Sequence, residues 1–180
     1  LSGIKYLNFI ADVFRLGKEE RESRIKALCD EFELTEDLAQ PISAYSHGMK
    51  QKLAVVAALM HEPRLLVMDE PFTGLDPKAS FILKQKMRQL CDRGGAVFFS
   101  THVLEVAEKL CDKVAIMYAG LIMEYAPVVD IYDHPRHPYT RGLLACVPRL
   151  GEKKSRLAPI SGQVPDPRQM PQGCPVTPRC

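Results

Sequence analysis

Two adjacent carboxylates, Asp69 and Glu70, follow directly on the apolar run Leu65-Leu66-Val67-Met68. Four apolar residues in succession suit a strand buried on both faces, and acids at its C-terminal end stand where open α/β sheets bind ligands. A hard cation such as Mg²⁺ takes oxygen ligands, so one carboxylate could hold it, directly or through water, while phosphate oxygens complete its shell. The neighbouring carboxylate could then orient or deprotonate an attacking water. Taken alone, two acids at a strand end are more commonly just solvated.

Three further groups bear on that choice. Ser46-His47-Gly48 opens a helical stretch, with Ser46 placed 24 residues before Glu70. Gly74-Leu75-Asp76-Pro77 puts Asp76 six residues after Glu70, and His102 stands 32 residues after it, directly behind a second apolar run. Each has a plain structural reading: Ser46 as a helix cap, Gly74-Leu75-Asp76 as a turn and a cap, His102 as a polar residue of a first turn. All three in this order at these spacings are hard to obtain by chance. A helix starting near Met49 would also present free backbone N–H groups and a positive dipole end, a ready site for an anion.

The elements that must position these groups show in the patterning. Residues 1–62 read as helical. Ile4, Leu7, Ala11 and Phe14 recur at helical spacing with Ser2 as N-cap, and Gly17 is expected to end that helix. The charged run Lys18 to Arg24 is a solvated face opening a second helix, whose apolar side is Ile25, Leu28, Cys29 and Phe32. Pro41 breaks the pattern, and a third helix is expected from Met49 to His61. Beyond it come a buried strand at Leu65 to Met68, a helix from Pro77 to Asp92, and a buried strand from Ala96 to Ser100. A helix from Val103 to Asp112 and a hairpin of Val114–Met117 with Leu121–Met123 across Ala119-Gly120 complete an α/β layered pattern. The last thirty residues hold six of the 14 prolines and five basic against two acidic residues, so 127–180 is expected to be a loop-rich appendage with little helix.

Composition sets outer bounds. The 180 residues are 46% apolar and 26% charged, the mix of a globular domain rather than a disordered chain or a disulfide mini-protein. A net charge of +2 argues against a nucleic-acid partner, and there is neither an 18-residue apolar run nor a signal-peptide pattern. Cys29, Cys91, Cys111 and Cys146 sit in apolar stretches and read as thiols of a reducing compartment. A start at Leu1 leaves open that the chain is a piece of something longer.

With these residues in view, the sequence resembles the C-terminal half of an ATP-binding cassette (ABC) transporter ATPase. Tyr45-Ser46-His47-Gly48-Met49-Lys50-Gln51-Lys52 is similar to the family's signature motif and Leu65 to Glu70 to its Walker B strand. Phe72-Thr73-Gly74-Leu75-Asp76-Pro77 is similar to its D-loop, and Ser100-Thr101-His102 to its switch histidine. The resemblance implies a partial P-loop NTPase fold of α/β class. Its parts would be a helical subdomain over 1–62, a parallel-sheet half over 63–126 and a C-terminal extension over 127–180. It further implies that Ser46, His47 and Gly48 face the γ-phosphate of an ATP held mainly by an opposite subunit. Asp69 would hold Mg²⁺, Glu70 would be the general base, Asp76 would bridge the subunits and His102 would hydrogen-bond the γ-phosphate. Tyr45, His47 and Met49 replace Leu, Gly and Gln of the commonest Leu-Ser-Gly-Gly-Gln form, a variant similar to that of exporter-type ATPases.

A P-loop requires G-x-x-x-x-G-K-S/T, and the one Gly-Lys here, Gly17-Lys18, is followed by Glu19 in a helical region. Without backbone N–H groups and a Lys cradling the β and γ phosphates, these 180 residues alone are expected to bind ATP poorly and to be inactive. The parent subunit would hydrolyse ATP as a homo- or heterodimer beside a transmembrane permease, peripheral to the cytoplasmic face of the membrane. Residues Asp133 to Leu144, Val147-Pro148-Arg149-Leu150, Ile160-Ser161-Gly162, Val164-Pro165-Asp166-Pro167 and Gly173-Cys174 resemble the extension of oligopeptide and dipeptide importer ATPases. That points to peptides as cargo, while the exporter-like signature leaves the direction of transport open. His134 and His137 read as loop residues beside prolines rather than metal ligands.

Some related importers carry a cysteine cluster holding a 4Fe–4S centre near the positions of Cys174 and Cys180. Such a centre needs four thiolates, and the x₅ spacing exceeds that of zinc pairs, so free thiols remain the simpler reading. Three other readings stay open: a non-catalytic partner lending its signature surface to a competent ATPase, a metal or iron–sulfur module built on Cys174 and Cys180, and a fragment without function of its own.

Overall fold

The computed structural model describes residues 1–146, 160–166 and 168–180. These divide into two units, Leu1–His102 and Val103–Cys180. The expected motif Val147-Pro148-Arg149-Leu150 and Pro167 lie outside the described residues.

In the first unit, α1 (Gly3–Val13), α2 (Lys18–Glu31) and α3 (His47–Leu59) precede β1 (Leu65–Met68), α4 (Pro77–Asp92) and β2 (Ala96–Phe99). Apolar side chains at helical spacing supply the core: Leu7 and Ala11 of α1, Ile25 and Cys29 of α2, and Leu53, Val56 and Ala57 of α3 are buried. Leu83 and Met87 of α4 are buried at the same four-residue interval. Burial beside Asp30 pushes the Cys29 thiol up to about 11, which makes it an inert core group. The first helix stops at Val13, well before the expected Gly17. Arg15 takes a φ of 57°, and the Arg15 and Leu16 N–H groups return to the Asp12 and Ala11 carbonyls, closing the last turn. Gly17 instead precedes α2 as its N-cap.

The strands β1 and β2 pair in parallel, from Leu65 opposite Ala96 to Met68 opposite Phe99. Burial on both faces, expected from the apolar runs, is not what forms. Leu66 is only 3% exposed, but Leu65, Val67 and Phe98 are 58%, 62% and 65% exposed. Side chains alternate across a strand, so one face packs on the core and the other stays open.

The second unit contains α5 (Leu104–Leu110), β3 (Lys113–Tyr118), β4 (Leu121–Pro127), α6 (Val128–Asp133) and α7 (Pro138–Ala145). The antiparallel hairpin of β3 and β4 turns through Ala119 and Gly120, whose φ values of 49° and 80° are those a tight two-residue connection needs. Ile116 faces Glu124 while Met117 faces Ile122, so Met123 is an inserted bulge residue. Among the described residues there are thus two two-stranded sheets, one parallel and one antiparallel, in a mixed α/β fold.

Proline content predicts little helix over 127–180, yet α6 and α7 form. Pro138 occupies the first turn of α7, where a missing N–H costs nothing, and His137 Nδ1 accepts the Tyr139 N–H at 3.1 Å as its cap. The described residues after 160 carry only a short 3₁₀ turn, Thr177–Arg179. No helix among the described residues is long and apolar enough to cross a membrane.

Leu83 and Phe81 lie on the same helix, at 0% and 60% exposure. Leu83→Ala is expected to cost about 2–5 kcal/mol in urea unfolding, and Phe81→Ala within about 0.5 kcal/mol of zero.

Candidate functional site

Parallel pairing sets the first cluster. With Met68 opposite Phe99, the Ser100 N–H donates to the Met68 carbonyl at 3.0 Å, and Asp69 emerges level with Ser100. The Ser100 hydroxyl donates to Asp69 Oδ1 and accepts the Glu70 N–H at 3.0 Å. One side chain from the end of β2 therefore ties down both acidic residues at the end of β1.

The chain reverses sharply at this point. Glu70 has a φ of 44°, which residues with a side chain rarely adopt. Its carbonyl accepts the Thr73 N–H at 3.1 Å, closing a turn with buried Pro71 in second place. Strain of this kind costs roughly 1–3 kcal/mol and persists where surrounding contacts over-determine it. Here those contacts are the Ser100 bond to its N–H and the burial of Pro71. The turn leaves the Glu70 carboxylate accepting from His102 Nδ1 at 2.9 Å, with the histidine side chain 75% exposed and the glutamate 36%. Asp69, Glu70 and His102 are brought together, on a surface that a ligand can reach.

The second cluster is built on α3. Tyr45, in the place of the commoner Leu, is 3% exposed and its hydroxyl donates to the Asp37 carbonyl at 2.7 Å. A Cβ on Gly3 would fall 2.3 Å from that hydroxyl, so the tyrosine uses space that only glycine leaves. Anchored this way, the chain enters α3 with Ser46 as N-cap, its Oγ accepting the Met49 N–H at 3.2 Å. The helix begins at His47, two residues before the expected Met49, because this cap closes it earlier. Ser46 and His47 are exposed and Gly48 is half-buried.

Asp76 caps α4 through Oδ1, which accepts the Ala79 N–H at 2.8 Å, while Oδ2 lies 2.7 Å from Lys52 Nζ. The Lys52 ammonium, followed by the Ala79 N–H, holds the Asp76 carboxyl below the usual carboxylate range. Both of its oxygens thus have partners within this chain.

Cys174 and Cys180 are exposed free thiols of the second unit. No group of three or more His, Cys, Asp or Glu able to hold a metal gathers among the described residues, so this pair alone does not fit an iron–sulfur cluster. Asp69 is different: an exposed oxygen ligand at a strand end suits a hard cation whose remaining ligands come from phosphate and water. Two residues of the site carry no expected role in the sequence. Ser100 was legible only as the polar residue closing the second apolar run; its place level with Asp69 comes from the pairing of β1 with β2. Lys52 lies one helical turn beyond Gly48 and so shares its face.

Residues 5–73 match the ABC transporter family, and residues 123–180 match the oligopeptide/dipeptide transporter C-terminal region. The chain is 39% identical over 170 residues to the probable D,D-dipeptide transport ATP-binding protein DdpD of Escherichia coli (strain K12), covering 89% of this chain and 51% of that protein. It is 39% identical over 137 residues to the oligopeptide transport ATP-binding protein OppD of Haemophilus influenzae, covering 76% of this chain and 42% of that protein. A solved structure of an ATP-binding subunit of an ABC transporter superposes with a TM-score of 0.68 at 36% identity, over 73% of this chain and 55% of that one. The chain spans about half the length of the curated relatives it matches.

Replacing Ser100 by Ala leaves the Glu70 N–H without its acceptor. Ser100→Ala is expected to lower unfolding stability by about 1 kcal/mol and to speed Glu70 amide hydrogen exchange several-fold. Unchanged Glu70 exchange would show that the hydroxyl does not hold this turn.

Proposed function

Because this chain matches the ATP-binding subunits of ABC transporters, including their peptide-transporter C-terminal region, we propose that it supplies the signature, Walker B, D-loop and switch portions of an ATPase subunit that drives peptide transport. The observation that carries this reading is the convergence of Asp69 and Glu70 on the Ser100 hydroxyl, with His102 bonded to the Glu70 carboxylate. In that arrangement Asp69 would hold Mg²⁺, which would neutralise phosphate charge when bound. Glu70 takes a proton from the attacking water. His102, with a hydrogen on each ring nitrogen, donates Nδ1–H to the Glu70 carboxylate to orient it and Nε2–H to the γ-phosphate.

At the second cluster, Ser46, His47 and Gly48 present the N-terminus of α3 to the γ-phosphate of a nucleotide bound by an opposing subunit. Asp76 lies beside that surface as the element facing the opposing subunit. Residues 1–62 form the helical subdomain, 63–126 the sheet half and 127–180 the extension. The permease, the second ATPase subunit and a peripheral place at the cytoplasmic membrane face belong to the same reading.

Support for peptides comes from similarity to proteins named for D,D-dipeptide and oligopeptide transport. One relative aligns over 170 residues, across both the exporter-like signature and the importer-like extension, which favours a single origin for the two parts. Cys174 and Cys180 supply two thiolates of the four that a 4Fe–4S cluster needs, and nothing in their surroundings favours that reading.

In the full-length subunit, Glu70→Gln is expected to lower ATP turnover by roughly 10²–10⁴-fold while bound ATP is retained, as measured by phosphate release and nucleotide retention. Undiminished turnover would remove the base assignment. ATP hydrolysis seen only after mixing with a second, competent ATPase, and abolished by Ser46→Arg, would instead identify a non-catalytic partner. For the 180 residues alone, calorimetry should find weak ATP binding, since they contain no G-x-x-x-x-G-K-S/T; micromolar affinity would contradict this.

A further inference from the structure

Four contacts lie on one face of the first two turns of α3. The His47 ring covers Gly74, where a Cβ would fall 2.4 Å from His47 Cδ2. A Cβ on Gly48 would fall 2.8 Å from the Gly74 carbonyl oxygen. Gln51 Nε2 donates to the Pro71 carbonyl at 3.2 Å, and Lys52 Nζ lies 2.7 Å from Asp76 Oδ2. Positions 47, 48, 51 and 52 share a face because residues four apart are neighbours on a helix. All their partners fall in the loop 71–76.

Both ends of that loop are fixed independently. Glu70 is held by Ser100 at one end, and Asp76 is committed as the cap of α4 at the other. The Lys52 side chain is only 13% exposed, against 45% for Asp76. A cation so withdrawn from water requires a charged partner; among the described residues its ion pair is with Asp76, and the Glu33 carboxylate is close enough to feel its charge. Gly48 and Gly74 lack side chains at the point where helix and loop come closest, so the lack of a side chain at position 48 is used within the chain itself.

We propose that Lys52 is a positioning residue, latching the Ser46–Gly48 turn to the loop that leads from Glu70 to Asp76, so that helix start and loop move as one body. Its catalytic purpose rests on the ATPase reading: a phosphate seated at Ser46 is then registered at Glu70 through six residues of fastened chain. The latch itself is a property of the 180 residues and can be tested without ATP.

The test combines amide hydrogen exchange with the NMR titration of the Asp76 carboxyl in the wild-type chain, Lys52→Met and Lys52→Arg. Lys52→Met should speed exchange of the Thr73 and Leu75 amides about three- to fivefold and raise the Asp76 titration toward the ordinary carboxylate range, the Ala79 N–H bond keeping part of the lowering. Lys52→Arg should keep both near wild type. Amides of Val55 to Leu59, deep in α3, should exchange as in wild type. Unchanged loop exchange and titration in Lys52→Met would overturn the latch. So would equal acceleration throughout α3, which would make Lys52 a support of the helix alone. In the full-length subunit, Lys52→Met should lower kcat several-fold with KM little changed, and Lys52→Arg should restore it. A fall in kcat without faster loop exchange would also overturn the proposal. An intact latch in a wild-type subunit that hydrolyses no ATP would sink the ATPase reading and leave the latch standing.

Discussion

Four parallel backbone pairings, Leu65 with Ala96 through Met68 with Phe99, join segments of chain 31 residues apart and bring their ends level. The acidic cluster at the end of β1 depends on that register. A slip of one residue would turn Leu66 out of the core and carry Ser100 away from Asp69. With the register in place, a single hydroxyl reaches both an acidic side chain and the next backbone N–H. The left-handed turn at Glu70 can then be tolerated. Apolar packing of Leu66 on one side secures the pairing, while the acids at its end remain in water, where ionised carboxylates carry little desolvation cost.

The helical half meets this strand end through α3. Its N-terminus is set from behind by Tyr45, whose buried hydroxyl reaches the Asp37 carbonyl, and from within by the Ser46 cap. On the loop-facing side, His47, Gly48, Gln51 and Lys52 meet residues 71–76. Substitutions in the signature that look like departures from a common pattern thus have physical uses here. Tyr45 fills space above Gly3, and His47 covers the side-chain-free surface of Gly74. A charge pair between Lys52 and Asp76 joins two helices that are separated in sequence by a strand and the loops on either side of it.

Element type was legible wherever local chemistry and packing agreed. Pro77 at a first turn, an amphipathic run and Gly94 beyond it mark α4 over the residues it occupies, Pro77–Asp92. Ala119-Gly120 between two apolar runs marks the hairpin. Local signals misled where a backbone conformation rather than a residue type decided the outcome. Arg15 ends α1 by adopting a positive φ that nothing about arginine advertises. Pro138 and His137 start a helix in a segment whose composition suggests extended chain. The open face of β1 and β2 was hidden for another reason: an apolar run shows which residues can be buried, and burial itself depends on which surfaces meet them.

By itself the sequence determined the kind of chemistry: two carboxylates behind an apolar strand, a capped helix start, an Asp-Pro turn and a histidine behind a second strand, in one order. Those are statements about residue types and spacing, and they hold for the chain in any conformation. Tertiary structure decided which of these groups meet. That Ser100 serves both Asp69 and Glu70, that His102 faces Glu70, and that Asp76 is paired with Lys52 all follow from non-local pairing and helix packing. Contacts between residues 24 to 32 positions apart are set by the strand register and by the close approach of glycine backbones. No local pattern contains that information, because the energy that selects it comes from burying the shared core.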